Sequence, residues 1–210
     1  MPGSRLRSED SRLIVGSTSL FGIESGISEA YERLSSRALG YFVIHVGGLS
    51  YGRRAADSSM LACSFDEVEK RIAMRGAHRA SFAAEPEAGR IADAFRDAVY
   101  GAQARETYLG IPRERFVEML HMNRIMWAPD GDEAFDDGSY VLQFDILDSV
   151  RLIAFKSGQR FFHDPATLRD ISLKANDFYG LLQNWRDAFR AEWSSVPKRP
   201  ESGPDNQTKS

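Results

Sequence analysis

Residues 140–155 read YVLQFDILDSVRLIAF, and their pattern predicts a β-hairpin. From Tyr140 to Ile146 an apolar residue occupies every second position, which is the spacing of one face of a strand. Asp148 and Ser149 are residue types that favour a turn, and the apolar run after them predicts the returning strand. Because a hairpin pairs its strands antiparallel, this stretch indicates an antiparallel sheet.

Other strands and the helices are predicted on both sides of this hairpin. Short apolar runs predict strands at residues 13–15, 21–27, 41–46, 49–52, 124–127 and 171–174. Helical spacing predicts helices at residues 64–76, 86–100, 115–120 and 176–193. The first of these helices is expected to begin at a capping box formed by Ser64 and Glu67. Because the strands are mostly neighbours and the helices are grouped, we expect an α+β fold, with a mainly antiparallel sheet and helices packed on one face.

The length and the two polar ends indicate a single domain. A chain of 210 residues fits one ordinary domain with tails. Residues 1–11 are polar, and residues 194–210 contain three prolines and no aromatic residue. Such segments bury too little surface to offset their ordering entropy, so we expect both to be disordered tails. The folded domain is expected to span residues 12–193.

Composition excludes several classes of protein. A net charge of −3 and a pI near 5.9 provide no basic excess for nucleic acid. No apolar run of about 18 residues is present, so no membrane span is predicted, and the start of the chain lacks the apolar core of a secretory signal. Cys63 is the only cysteine, which rules out an internal disulfide and suits a reducing compartment. We therefore expect a soluble cytoplasmic protein.

The sequence contains no recognisable catalytic, metal or cofactor motif. Its four histidines do not have the spacing of a zinc site, and Cys63 has no CxxC partner. There is no GxSxG elbow, GxGxxG motif or complete phosphate-binding loop. An EF-hand that begins at Asp130 would place Ala134 and Phe135 where a ligand and a glycine are required. We expect neither a metal nor a cofactor.

Acidic residues are concentrated beside the hairpin. Residues 125–150 contain seven carboxylates and no Lys or Arg, namely Asp130, Asp132, Glu133, Asp136, Asp137, Asp145 and Asp148. Because the whole chain has a net charge of only −3, the remainder carries a charge of +4. This segment is either a solvated acidic loop or a surface that binds a basic partner.

The order of short motifs resembles the immunity protein 42 family of bacterial polymorphic toxin systems. The resemblance rests on LIVG at 13–16, FGIE at 21–24, the turn at 47–52, SFD at 64–66, AFDD at 134–137, RLIAF at 151–155 and NDF at 176–178. It covers most of residues 12–193. The family pattern leads us to expect a tryptophan directly after Asp137, where this chain has Gly138.

This resemblance implies a non-enzyme that binds the C-terminal domain of a cognate toxin in the cytoplasm and blocks it. We expect the partner to contact Asp130, Asp132, Glu133, Asp136 and Asp137, with Trp127 or Tyr140 as an aromatic anchor.

Two alternatives stay open, and so does the oligomeric state. The chain could be a small cytosolic enzyme in which the fold gathers Asp136, Asp145 and His121 into one pocket. It could also be a structural or regulatory subunit, which an exposed apolar patch would indicate.

Overall fold

The computed structural model of the chain describes residues 12–32, 38–128 and 132–199, and in these ranges it has twelve strands and four α-helices. In chain order the elements are β1 (Arg12–Gly16), β2 (Phe21–Tyr31), β3 (Ala38–Val46), β4 (Leu49–Tyr51), β5 (Ser59–Met60), α1 (Leu61–Ala73), α2 (Ala88–Tyr100), β6 (Thr107–Tyr108), β7 (Ile111–Pro112), α3 (Arg113–Met122), β8 (Met126–Ala128), β9 (Ser139–Ile146), β10 (Ser149–Lys156), β11 (Arg169–Lys174), α4 (Ala175–Ser195) and β12 (Lys198–Arg199).

Two antiparallel sheets form the framework. The first has the order β1-β2-β3-β4, with β5 on β3 and the short β12 pairing parallel with β2. The second has the order β11-β10-β9-β8, and its centre is the hairpin of β9 and β10. Strands β6 and β7 form a separate two-stranded ribbon. Nearly all pairing is thus between neighbours along the chain.

The first hydrophobic core lies between the two sheets. Helices α1 and α4 pack there, and the apolar side of α4 is formed by Phe178, Leu182, Trp185 and Phe189 with Tyr179. Trp185 contacts Phe42 of β3 edge to face, at a centroid distance of 5.1 Å. These aromatic contacts hold α4 against the first sheet. The same core includes residues of β9 and β10, so α4 also packs against the hairpin.

The second core lies on the opposite face of the hairpin. Tyr140, Leu142 and Phe144 of β9 pack there against helices α2 and α3. The face that carries Val141, Gln143 and Asp145 points toward the first core instead. Both faces of the hairpin are therefore covered, which explains why β9 is buried along almost its whole length.

The structure confirms the predicted α+β class and the mainly antiparallel pairing. The strands divide into two principal sheets, however, and helices cover both faces of the second one. The hairpin turn consists of Leu147 and Asp148, because Ile146 pairs with Ser149; the predicted turn at Asp148 and Ser149 was one residue late.

Helix α1 begins three residues before the predicted capping box. Its N-cap is Met60, without a side-chain cap, and Ser64 is buried inside the helix. The chain enters α1 directly from β5, so strand pairing rather than a polar cap fixes the start of the helix.

The C-terminal end of the described chain also differs from expectation. Helix α4 continues past Trp193 to Ser195, and β12 then pairs with Ala30 and Tyr31 of β2. Ser194 and Ser195 are therefore helical, and Lys198 and Arg199 form a strand. Residues 1–11 and 200–210 lie outside the described ranges. In the described residues, no helix combines the length and apolar character needed to cross a membrane.

Candidate partner-binding surface

Strand β9 divides the acidic segment between two ends of the hairpin. Asp132, Glu133, Asp136 and Asp137 precede the strand, Asp145 lies within it, and Asp148 follows it. Eight residues of β9 at about 3.3 Å each separate the two ends by roughly 26 Å. The charges that are close in sequence therefore form one acidic group before β9 and a separate exposed carboxylate at the hairpin tip.

The acidic group before β9 is a short, well-anchored turn, residues 132–138, which we call the acidic turn. The Asp132 carboxylate accepts a hydrogen bond of 3.0 Å from the Ala134 amide and so caps a single 3₁₀ turn. Ala134 and Phe135 are buried, while Glu133 and Asp136 are exposed. The apolar pair fixes the turn to the core and leaves the two carboxylates in water. Asp130 lies outside the described residues.

A groove of about 400 Å³ runs beside the acidic turn. It lies between α1 and the segment that joins α3 to β8. Its lining consists of Cys63, Asp66, Glu67, Lys70, Leu120, His121, Arg124, Met126, Trp127 and Asp132. The fold thus brings acidic side chains of α1 next to the acidic turn, a proximity that the sequence alone does not reveal.

The field in this groove is negative near Cys63 and Asp132. Burial raises the pKa of Asp132, as do Glu133, Glu67 and Asp136, and together they outweigh the Ala134 hydrogen bond. Desolvation also raises the pKa of the Cys63 thiol, and the negative charges of Asp132, Asp66 and Glu133 add to it. Burial is the largest cause at both groups, and nearby carboxylates raise both pKa values further.

Several other acidic residues are neutralised by the protein itself. Asp137 forms an ion pair of 2.5 Å with Lys156, and Glu67 pairs with both Arg71 and Arg124. Within the described residues, neither Glu133 nor Asp136 has an ion-pair partner. These two side chains carry the exposed, uncompensated charge of the acidic turn.

Asp145 belongs to the interior rather than to the acidic surface. Its carboxylate accepts hydrogen bonds of 2.6 Å from the Gly76 amide and 2.9 Å from the Tyr179 hydroxyl. Gln143, on the same face of β9, bonds to Tyr179 and to the guanidinium of Arg71. This buried network satisfies Asp145 without an opposite charge, so Asp145 is not available for a partner.

The family assignment follows from comparison with known proteins. Residues 13–188 match the family model described as immunity protein 42. The chain belongs to the immunity protein 42 family. This confirms the resemblance that the sequence motifs indicated.

One solved structure has the same fold as this family member. The crystal structure of CdiI from Burkholderia dolosa AUO158 aligns with a TM-score of 0.51 and 14% sequence identity. The alignment covers 84% of this chain and 99% of that one. At this identity the likeness concerns the fold alone. No curated protein matches the chain in sequence.

The two predicted aromatic anchors of this immunity protein 42 member require correction. Trp127 is 2% exposed and packs against Phe21, Phe178 and the guanidinium of Arg71. Tyr140 is fully buried and packs against Phe155. Both rings belong to the cores, so neither is displayed to a partner.

The residues of the enzyme alternative do not converge. Asp136 lies in the acidic turn, Asp145 is buried near the far end of β9, and His121 is an exposed residue of α3 that lines the groove. Within the described residues, no group of three or more His, Cys, Asp or Glu side chains could hold a metal ion. The geometry gives the proposed carboxylate and histidine site no support.

Two exposed apolar residues at opposite ends of the hairpin were not identified from the sequence. Leu147, at the tip, is 96% exposed, and Phe162, in the loop after β10, is 53% exposed. Apolar residues are ordinarily assigned to a core, so neither had a surface signal. The sequence placed Leu147 just before the predicted turn, and only the structure places it in the turn itself.

Proposed function

We propose that this chain neutralises a cognate toxin by binding the toxin's C-terminal domain in the cytoplasm, without catalysis. The observation that carries the proposal is the match to the immunity protein 42 family over residues 13–188. The contact surface that we assign is the acidic turn with the adjoining wall of the groove. It includes Asp132, Glu133, Asp136 and Asp137 from the described residues, and Asp130 by sequence.

Charge gives this surface its preference for a basic partner. Glu133 and Asp136 are exposed and unpaired within the described residues. Burial is the main cause of the raised pKa of Asp132, and repulsion by its carboxylate neighbours adds to it. A basic toxin surface would relieve that repulsion on docking. Complementary charge also accelerates association and disfavours wrong partners, which suits an inhibitor that must act before its toxin does.

Neutralisation is tested with the gene immediately upstream. We expect the C-terminal domain that it encodes to stop growth when expressed alone in the cytoplasm, and co-expression of this chain to restore growth. The two proteins should copurify. Restored growth without a physical complex would overturn binding as the mechanism, and unrestored growth would overturn the function.

The acidic turn is tested by a pair of double variants with the same change in net charge. Glu133→Gln with Asp136→Asn removes the uncompensated charges of the turn. Asp148→Asn with Asp177→Asn removes two exposed charges at the far end of the hairpin.

For the Glu133→Gln and Asp136→Asn double variant we expect a severalfold slower association with the toxin domain at low ionic strength. Its association rate should also depend less on salt concentration. For the Asp148→Asn and Asp177→Asn double variant we expect association rates close to those of the wild type. Equal effects of the two double variants on the association rate would remove the acidic turn from the interface.

A further inference from the structure

We propose that Phe162 is the aromatic anchor of the interface formed by the acidic turn, and that the toxin domain receives it in an apolar socket rimmed by Lys or Arg. This inference rests on the proposed function, and it assigns to Phe162 the role that the buried Trp127 and Tyr140 cannot fill.

Phe162 is the exposed aromatic residue of the described chain. Its side chain is 53% exposed, whereas every other described aromatic residue is buried or only partly exposed. Interface energy is usually concentrated in a few residues, with aromatic side chains enriched among them. The exposed half of this phenyl ring leaves apolar area in water, and a partner that covers it can bury that area.

The loop of Phe162 is contiguous with the acidic turn. The Ser157 amide donates a hydrogen bond of 2.8 Å to the Gly138 carbonyl, and Ser157 also forms an antiparallel bridge with His163. Each of these steps crosses about 5 Å, so His163 lies roughly 10 Å from the end of the acidic turn. A standard interface buries about 800 Å² on each partner, so one patch can include both Phe162 and Asp136.

The loop holds Phe162 in a defined position. The Gly158 amide donates to the Phe162 carbonyl at 2.9 Å, which closes the loop on itself. The backbone amide and the Nδ1 atom of His163 lie 3.1 and 2.6 Å from an Asp93 carboxylate oxygen, which ties the loop to α2. Because the backbone around the ring is already fixed, docking would cost little ordering entropy.

The surroundings determine the chemistry of the partner. Phe162 borders a concavity of about 670 Å³ formed by its own loop, with Ser157 and Pro165 among the lining residues. The exposed carboxylates of Glu133 and Asp136 lie on the neighbouring turn. The exposed Arg160 lies in the same loop, but the unpaired charges of the adjoining acidic turn are negative. An apolar centre beside that turn is complementary to an apolar socket whose rim facing the turn is basic, and this favours a basic protein surface as the occupant.

The experiment measures association and dissociation rates of the toxin domain encoded upstream with single variants of the full chain. For Phe162→Ala we expect dissociation faster by about thirtyfold, with an unchanged salt dependence of the association rate. For Phe162→Lys we expect a larger loss of affinity for the toxin domain than for Phe162→Ala, because the lysine would place a positive charge against the basic rim of the socket. The matched control is Leu147→Ala, which removes the other highly exposed apolar side chain of this hairpin at its opposite end.

The outcomes separate this inference from the proposed function. If the wild type binds and protects while Phe162→Ala stays within about twofold of it, the anchor is wrong and the function stands. If Leu147→Ala weakens binding instead, the toxin docks at the hairpin tip and the anchor is equally wrong. If the wild type neither binds nor protects, both proposals fail. Matched melting temperatures of the variants establish that a loss of affinity is not a loss of folding.

Discussion

The ammonium group of Lys156 lies 2.5 Å from a carboxylate oxygen of Asp137, and this ion pair joins the end of β10 to the acidic turn. The adjacent backbone hydrogen bond from Ser157 to Gly138 joins the same two segments. The pair removes one negative charge from the surface that Asp137 was expected to provide. In exchange it holds the acidic turn beside the loop of Phe162, so the rigid hairpin positions both parts of the proposed interface.

Gly138 is required by the backbone of this turn. Its φ is +78°, and a Cβ atom there would lie 3.1 Å from the Ser157 hydroxyl oxygen. A tryptophan, which the family pattern suggested for this position, would be strained in this conformation. We expect Gly138→Ala to lower the free energy of unfolding by about 1–2 kcal/mol, measured by chemical denaturation.

The matched control for Gly138 is Gly180→Ala. Gly180 lies inside α4 with open space around its Cβ position. Alanine there should raise the free energy of unfolding by up to about 1 kcal/mol, because it restricts the unfolded chain and favours the helix. Destabilisation by both substitutions would mean that the left-handed backbone of Gly138 is not the cause.

Leu147 provides a test of strain at the other end of the hairpin. It is the first residue of a two-residue turn, its φ is +52°, and its side chain is 96% exposed. Leucine is disfavoured in this conformation, and its exposure offers no compensating burial. We expect Leu147→Gly to leave the melting temperature unchanged or to raise it by a few degrees. A clear decrease would show that Leu147 makes a stabilising contact in solution.

Cys63 reports the electrostatic field of the groove. Desolvation raises the pKa of its thiol, and the negative charges of Asp132, Asp66 and Glu133 raise it further, which lowers the fraction of reactive thiolate. We therefore expect Glu133→Gln to accelerate the alkylation of Cys63 by iodoacetamide at pH 8. Because Cys63 is the only cysteine, the reaction follows a single site. Asp148→Asn is the control, and equal acceleration by both variants would contradict a local field.

Local periodicity was sufficient to predict the hairpin and the last helix. Apolar residues at every second position of β9, and at helical spacing along α4, are properties of the sequence itself. Asp145 shows where this reasoning stops. Its charge indicated exposure, but Gly76, about seventy positions away, and Tyr179 of α4 satisfy it in the interior. Partners so distant in sequence leave no mark in a local pattern.

The candidate surface was only partly predictable for the same reason. The acidic composition located Glu133 and Asp136, because uncompensated charge tends to remain in water. The aromatic anchor could not be assigned, because Trp127, Tyr140 and Phe162 are all large aromatic residues, and such residues are ordinarily assigned to a core. Only the packing of β8 and β9 between the cores buries the first two and leaves the third exposed.

Glu24 is expected to make the stability of this protein sensitive to acid. Its side chain is fully buried in β2, where it accepts hydrogen bonds from Arg54 at 2.6 Å and from Arg12 at 3.1 Å and lies 3.0 Å from His45. Burial alone would raise the pKa of Glu24, but the bonds from Arg54, Arg12 and His45 outweigh it and lower the pKa from 4.5 to about 2.

Because the folded state holds the Glu24 proton more weakly than the unfolded state, the stabilisation is complete above pH 4.5 and is lost as the pH falls toward 2. We expect Glu24→Gln to lower the free energy of unfolding at pH 7 by on the order of 2 kcal/mol, after allowance for the solvent around the half-exposed arginines. The difference from the wild type should shrink progressively between pH 4.5 and 2 in urea denaturation series. Glu133→Gln, which removes an exposed carboxylate, is the control and should change the free energy of unfolding little. A pH-independent difference for Glu24→Gln would mean that packing rather than charge holds this part of the sheet.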